Sequence, residues 1–285
     1  MYKKALGYFL LLVSFLLVIP EAEAGPWPQK RRAGFYKLGF GYLQANRFYE
    51  PDGRLITIPT LADYTLSFYG EYGITDRITG IAYIPFLQRL TLNRQIGAET
   101  GFEFFEGAEQ TSLADFDIGA RFGLLKKGNT VVSASIMFGI PTGNTTQENG
   151  LYTGDGEFNQ HVSLGLGHSF YPAPAYLAVE AGFNNRSQGF SDEFRFSAEA
   201  SYTFGGKLTA ITRVRGLEPL RNGDDSITGG TGGLYANNQR YIAYGVELAY
   251  MLTSNLGASL SIEGATRGQN ILSAPAYQTG LFLSL

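Results

Sequence analysis

The sequence has no cysteine, one tryptophan and only two histidines in its 285 residues. The absence of cysteine excludes disulfide bonds, thiolate metal sites and the acylated cysteine of a bacterial lipoprotein. Beyond residue 24 no stretch approaches eighteen consecutive apolar residues, so no membrane-spanning helix is predicted. The net charge is −3, which does not favour nucleic acid as a partner.

Aromatic residues and glycine are abundant instead. The chain has 18 tyrosines, 21 phenylalanines and 37 glycines, which is far from the balance of alanine, leucine, glutamate and lysine found in helical proteins. This composition predicts an all-β chain.

The first 24 residues have the organisation of a signal peptide. Lys3 and Lys4 precede an apolar run over residues 5–19, and Ala22-Glu23-Ala24 forms a cleavage site before Gly25. The alternative is a membrane anchor, but the run is shorter than the roughly twenty residues that a helix needs to span. We therefore divide the chain into a signal peptide (1–24), a periplasmic lead (25–33) and a β-domain (34–285). The alternative for the lead is that it tucks into the domain as a plug.

Alternating segments predict twelve strands, at 34–45, 63–73, 78–89, 114–125, 131–142, 158–170, 175–185, 192–204, 207–218, 240–252, 255–266 and 275–285. The odd-numbered connections are mostly long (46–62, 90–113, 143–157, 186–191, 219–239 and 267–274). The even-numbered connections are short turns built around ITDR, KKGN, YPAP, FGGK and TSN. Outer-membrane barrels sort their connections in this way, with short periplasmic turns and long extracellular loops. The predicted fold is a twelve-stranded transmembrane antiparallel β-barrel in a bacterial outer membrane, with membrane lipid around it.

The strand faces agree with a barrel in lipid. In strand 192–204 phenylalanine, alanine and tyrosine occupy one face, and charged or hydroxyl side chains occupy the other. An apolar exterior and a polar interior are the arrangement that a lipid environment requires.

Parity places a set of charged side chains inside the barrel: Lys37, Glu71, Asp115, Asp117, Arg121, Glu180, Glu193, Arg195, Glu199, Arg213, Arg215, Glu247 and Glu263. The turn FGGK sets Phe204 opposite Leu208, which brings Glu199 opposite Arg213. These charges either form a salt-bridged network that fills a narrow lumen or line a polar constriction that selects a permeant. The candidate lining residues are Arg121, Glu180, Arg195, Glu199, Arg213, Arg215, Glu247 and Glu263.

The chain ends QTGLFLSL, with Gln278, Gly280, Leu283 and Leu285 at alternate or fixed offsets. This segment resembles the C-terminal signal that the barrel assembly machinery recognises, although it ends in leucine rather than phenylalanine. The segment Gln278–Leu285 is therefore the predicted contact with that machinery, or simply an ordinary last strand.

Three further segments, in order, carry a family resemblance. They are YGITDRITGIAYIPF (72–86), ADFDIGARFGLLKKG (114–128) and VVSASIMFGIPTGN (131–144). Together they resemble the family named for a MetA pathway of phenol degradation. The resemblance implies an outer-membrane barrel similar to channels for hydrophobic compounds, with aromatic solutes implied by the family's name.

Two other kinds of chemistry are weakly supported. His161-Val162-Ser163 reproduces the His-x-Ser spacing of barrel lipid hydrolases, but Leu164 replaces the expected asparagine and the pair faces inward. The Asp- and Gly-rich loops 153–158 and 222–233 lack the ligand spacing of a calcium loop.

We predict no catalytic, cofactor or metal residues. The predicted function is passive uptake of a small solute of hydrophobic or aromatic character. The alternatives are a closed structural or adhesive barrel and, less favoured, a lipid hydrolase.

Overall fold

The computed structural model describes residues 25–285, so the predicted signal peptide lies outside the described residues. Twelve long strands dominate it, and we number them in chain order. They are β1 (Gly34–Tyr49), β2 (Leu55–Gly73), β3 (Ile78–Leu92), β4 (Phe116–Lys127), β5 (Thr130–Ile140), β6 (Asn159–Ser169), β7 (Ala175–Arg186), β8 (Glu193–Phe204), β9 (Leu208–Pro219), β10 (Arg240–Met251), β11 (Leu256–Gln269) and β12 (Ala276–Ser284). Four short strands lie in the connections (Gln95–Ile96, Glu103–Phe105, Ala108–Ser112 and Ile271–Leu272), together with one 3₁₀ turn (Thr231–Gly233).

The strands form a closed antiparallel barrel. Each pairs with its sequence neighbours, and β1 closes the sheet by pairing with both β2 and β12. At the end of the barrel where the turns are short, Gly34 and Leu285 exchange backbone hydrogen bonds of 3.1 and 2.8 Å. The predicted fold class and strand number are confirmed. Among residues 25–285 no helix has the length and apolarity needed to cross a bilayer.

The connections differ between the two ends of the barrel, which we call the turn end and the loop end. The turn end carries short connections such as 128–129 and 205–207, and the loop end carries 93–115, 141–158 and 220–239. The first predicted long loop, 46–62, is wrong, because β1 and β2 extend so far that only residues 50–54 connect them. Pro59 lies within β2 at a bulge, where a missing backbone donor is tolerated.

The second predicted loop, 90–113, is also partly wrong. The strand Ala108–Ser112 pairs with the end of β3, and Gln95–Ile96 pairs with Glu103–Phe105 in a projecting hairpin. Alternation in these segments is too short to distinguish a strand from a polar loop, so the sequence did not reveal them.

The two faces of the wall differ as the alternation predicts. Outward side chains such as Leu164 (60 % exposed) and Leu260 (60 %) leave the barrel with an apolar exterior. Aromatic side chains cluster outside the turn end, where an interfacial girdle is expected: Tyr72, Phe122, Phe170, Phe204 and Tyr250. The polar side chains therefore point into the interior of the barrel, where the candidate site lies.

Candidate functional site in the barrel interior

A buried ion pair lies inside the barrel near the turn end. Arg121 on β4 donates a hydrogen bond from Nη1 to Glu71 Oε1 on β2 at 3.0 Å, and the two side chains are 7 % and 0 % exposed. Tyr69 donates its hydroxyl to the same carboxylate oxygen at 2.5 Å. A carboxylate this deeply buried requires several donors, and this one has them.

Residues 25–29 cross the interior at the same level. The Trp27 carbonyl accepts a hydrogen bond from Arg121 Nη1 at 3.2 Å, and Gln29 donates its side-chain amide to Glu71 Oε2 at 2.9 Å. The Trp27 ring packs edge-on against Tyr176 of β7, with the ring centroids 5.2 Å apart. The segment thus contacts opposite parts of the wall and narrows the passage at the turn end.

Two glycines on β6 make room for this segment. A Cβ at Gly167 would lie 2.6 Å from Trp27 Cζ2, and one at Gly165 would lie 2.8 Å from Pro26 Cβ. Since real Cβ atoms essentially never approach other atoms so closely, Pro26 and Trp27 fit only because these positions lack side chains.

A belt of ion pairs lines one side of the interior. Glu199 lies opposite Arg213, as the register of the FGGK turn predicts, and Arg213 Nε donates to Glu199 Oε2 at 2.6 Å. Glu247 on β10 lies 3.6 Å from Arg213 Nη2 and accepts a 2.9 Å hydrogen bond from Lys37 on β1. Tyr176 donates its hydroxyl to Glu199. The belt joins β7, β8, β9, β10 and β1.

The remaining predicted lining residues are distributed along the interior. Arg215 pairs with Glu263 at 3.0 Å, with the arginine side chain 45 % exposed. Arg195 pairs with Glu193 at 2.7 Å, closer to the loop end. Glu180 shares the inner face of β7 with Ala178, which contacts Trp27.

A second buried ionic cluster lies at the loop end and is centred on Arg186. Its guanidinium binds Glu157 Oε1 at 2.7 Å, Asp155 Oδ2 at 2.8 Å and Glu193 Oε1 at 2.8 Å. Burial raises the pKa of Asp155 to about 6, with the Asp115 carboxylate acting in the same direction and Arg186 opposing both. Asp115 itself accepts hydrogen bonds from the backbone N–H groups of Gly143 and Asp155, so this cluster holds loop 141–158 against the wall.

Apolar side chains fill the loop end beside this cluster. Leu61, Leu90 and Leu151 are 0 % exposed and pack together with Leu92. Phe105, Ala108, Leu234 and Leu272 pack against them. Leu151 and Leu234 come from loops 141–158 and 220–239, which are joined where Thr231 N–H donates to the Gly150 carbonyl at 2.8 Å. The two long loops therefore fold over the mouth of the barrel and present leucine to its interior.

His161 and Ser163 share the inner face of β6 without bonding to each other. Within residues 25–285, neither His161 Nε2 nor Ser163 Oγ has a hydrogen-bond partner. A histidine that activates serine must lie within hydrogen-bond reach of it, so the geometry gives the hydrolase alternative no support. His168 lies on the outer face near the turn end and bonds Thr130 Oγ1 through Nδ1 at 2.8 Å.

Sequence reasoning missed two parts of this interior. Trp27 is the only tryptophan, in a segment interpreted chiefly as a solvated lead, and its uniqueness was the one available sign. Arg186 was placed in a loop, whereas it is the last residue of β7. The available sign was that Asp155, Glu157 and Glu193 lie on either side of the β6–β7 hairpin in the sequence.

Comparison with known proteins agrees on the fold. No known family's sequence profile matches this chain, and neither does any curated protein sequence. The crystal structure of the COG4313 outer membrane channel from Pseudomonas putida F1 superimposes with a TM-score of 0.71 at 12 % identity, covering 93 % of this chain and 100 % of that one. The NanC porin superimposes with a TM-score of 0.54 at 9 % identity, covering 88 % and 100 %.

These likenesses define the class of the molecule. The chain has the closed twelve-stranded architecture of a bacterial outer-membrane β-barrel. The resemblance to the phenol-degradation family is not supported by a family match and stays a prediction.

Proposed function

We propose that this barrel is a passive outer-membrane transporter that takes up a small apolar or aromatic solute. The observation that carries the proposal is the leucine cluster in the barrel interior at the loop end, where Leu61, Leu90 and Leu151 are fully buried. The interior of a water-filled porin is polar at this level, and a hydrophilic solute gains nothing from leucine. An apolar solute, in contrast, exchanges water for apolar contact at about 25 cal/mol per Å² of its buried surface.

The similarity to the COG4313 outer membrane channel and the NanC porin supports a transport role, since one is a channel and the other a porin. The solute's apolar character rests on this chain's own residues and on the family resemblance.

The proposal is tested by uptake into intact cells whose outer leaflet is lipopolysaccharide. Cells that express the protein should accumulate radiolabelled toluene or phenol faster than cells without it, and an equally small sugar should show no difference. Leu151→Ser and Leu234→Ser should each slow apolar uptake, because a hydroxyl replaces part of the apolar surface. Equal uptake with and without the protein overturns the proposal.

The second candidate is a closed structural barrel, favoured by one observation. Residues 25–29 and the ion pair of Arg121 with Glu71 occupy the interior together near the turn end. A closed barrel should show neither apolar uptake nor ion conductance in a planar bilayer. Conductance with no apolar uptake would point instead to a channel for small hydrophilic solutes.

A further inference from the structure

The outer face of β10 is apolar or aromatic along most of its length and ends in a charge. Five exposed side chains point outward along it: Ile242, Tyr244, Val246, Leu248 and Tyr250. Arg240 continues the same face at the loop end and is also exposed. An outward charge on a barrel wall is costly at the middle of the apolar band and is tolerated near its edges, so the height of Arg240 decides what surrounds it.

Arg240 lies at the edge of the apolar band. Tyr250 belongs to the aromatic girdle at the turn end, and Arg240 is ten residues farther along the same strand. At roughly 3.3 Å per residue and a strand tilt of about 40°, the two residues are separated by roughly 25 Å along the barrel axis. The apolar band of an outer-membrane barrel is about 25 Å tall. The guanidinium group therefore lies where acyl chains end and lipid head groups begin.

A bulge in β11 turns a second arginine outward beside Arg240. Tyr244 pairs with Gly264, but Ile242 pairs with Arg267, one residue farther along β11 than regular pairing would place its partner. Cross-strand partners point to the same side of a sheet, so Arg267 shares the outer face with Ile242. Without the extra residue, the alternation of the strand would turn Arg267 into the lumen. The bulge thus places this charge outside, which is a known use of bulges.

A third arginine reaches the same place from the end of β9. Arg221 lies two residues beyond β9 and donates a hydrogen bond from Nη2 to Gln269 Oε1 at 2.8 Å. Gln269 is the register partner of Arg240, and Arg267 is the diagonal neighbour of Arg240 across the same pair of strands, at a spacing of roughly 7–8 Å. Arg221, Arg240 and Arg267 therefore form one group, which we call the arginine cluster.

The positive charge of the arginine cluster is only partly balanced. Arg240 Nε lies 2.6 Å from Glu218 Oε2, which sets one carboxylate against three guanidinium groups. Within residues 25–285 the other two arginines form no ion pair. Elsewhere on the outer wall the charges balance: Arg89, eleven residues from the start of β3 at the turn end, pairs with Glu109 at 2.6 Å. An unbalanced cluster at the level of the head groups favours an anionic partner.

The wall below the arginine cluster can accept an acyl chain. Gly264 points outward beside the exposed Tyr244 ring, and a Cβ built on it would have only Pro275 Cα within 4 Å, at 3.9 Å. The aromatic ring therefore stands beside backbone that no side chain covers. Ile242 continues this apolar surface up to the cluster. An anion bound by the arginines can thus be attached to a hydrocarbon chain that descends along the wall.

We propose that the arginine cluster binds the phosphate groups of lipid A, the phosphorylated glycolipid of the outer leaflet. A guanidinium group binds phosphate through two parallel hydrogen bonds, and neighbouring guanidinium groups match a phosphomonoester that carries nearly two negative charges. The acyl chains of the same molecule cover Ile242 and Tyr244 below. The site is on the outside of the wall, so the proposal is independent of the transported solute. Bound lipid A fixes the height of the barrel in the outer leaflet.

Native mass spectrometry tests the site, because it counts the lipids bound to each protein molecule. Purified bisphosphorylated lipid A is titrated onto delipidated protein in detergent, as wild type and as the double variant Arg240→Gln with Arg267→Gln. Arg89→Gln is the matched control, since it removes an outward arginine at a similar distance from the turn end. Heat modifiability on SDS gels verifies the folding of each variant. Arg267→Gln alone, which breaks no ion pair, provides a second test if the double variant does not fold.

Wild type and Arg89→Gln should bind lipid A equally well, and the double variant should bind about tenfold more weakly or less, because it loses two charge-assisted contacts. Arg267→Gln should weaken binding in the same direction. Lipid A without its phosphate groups should bind wild type as weakly as intact lipid A binds the double variant.

Three results would overturn the proposal. The first is equal binding of lipid A by wild type and the arginine variants. The second is displacement of lipid A by an equal concentration of inorganic phosphate, which would make the cluster a site for the free anion. The third is equally tight binding of phosphatidylglycerol, which would make it a surface for anionic lipids in general.

Discussion

Arg213 on β9 and Glu199 on β8 form a 2.6 Å hydrogen bond inside the barrel, with side chains 21 % and 13 % exposed. Glu247 lies 3.6 Å from the same guanidinium and also binds Lys37, so one arginine links two carboxylates on opposite sides of β9. Neither charge faces bulk water freely, which makes the pair sensitive to the loss of one partner.

Arg213→Ala should lower the midpoint of heat modifiability on SDS gels and raise the ion conductance in planar bilayers. Removing one partner of a buried pair costs about 3–5 kcal/mol, and less where water enters the lumen. Arg215→Ala is the control, because Arg215 is 45 % exposed in its pair with Glu263 and its loss should lower the midpoint less. If Arg213→Ala changes neither stability nor conductance, the belt neither stabilises the barrel nor narrows its lumen.

Trp27→Ala should increase single-channel conductance with little loss of barrel stability. The indole fills space between Val131, Ala178 and Tyr176, and removing it opens the passage at the turn end without breaking any strand pair. Arg31→Ala is the control, since Arg31 is exposed in the same lead (25–33) but lies outside residues 25–29. Equal conductance in wild type and Trp27→Ala would show that the indole does not limit the flow of ions.

A cysteine at Ser226 should react with a membrane-impermeant maleimide on intact cells, and one at Asn129 should not. Ser226 is exposed in loop 220–239 at the loop end, and Asn129 is exposed in a turn at the opposite end. Permeabilised cells should label at both positions, which controls for reactivity. Labelling at residue 129 alone in intact cells would reverse the orientation of the barrel in the membrane.

Loop 141–158 should become more resistant to protease as the pH falls from about 6 toward 4. Asp155 has a folded pKa of about 6 against an ordinary value of 3.8, so within this window the folded chain binds a proton that the unfolded chain releases. Folded-state stability from this group therefore rises on acidification and is lost as the pH rises through 6. Asp155→Asn, which keeps the shape but cannot titrate, should flatten the dependence. An unchanged pH profile in Asp155→Asn would assign the effect to another group.

Much of the barrel was predictable because successive side chains of a barrel strand face lipid and lumen in turn, so the residue types alternate along the strand. In β6 the outer face carries Leu164 and Leu166, which meet lipid. The inner face carries His161 and Ser163, which meet the polar interior. The pairing of Glu199 with Arg213 was predictable for a similar reason, since a tight turn fixes the register of the hairpin that it closes.

The contacts between distant segments were not predictable in this way. Lys37 reaches Glu247 across β12 and β11 only because the sheet curves into a closed cylinder. Trp27 packs against Tyr176 because Gly165 and Gly167, far along the chain, leave space for Pro26 and for the indole. Residues 46–62 were predicted as a long loop, whereas β1 and β2 continue through most of them and pair across a bulge at Pro59.

The sequence by itself therefore determined the class of fold, the number of strands, the face that the clearly alternating strands turn to lipid and the local pairing of hairpins. These depend on alternation and turns, which act over a few residues. Only the tertiary structure decided which charges meet across the lumen, that residues 25–29 lie inside it, that leucines from two loops meet at its mouth, and where the strand pairing beside β1 is interrupted. Those features depend on closure of the barrel, which brings together residues separated by tens to hundreds of positions.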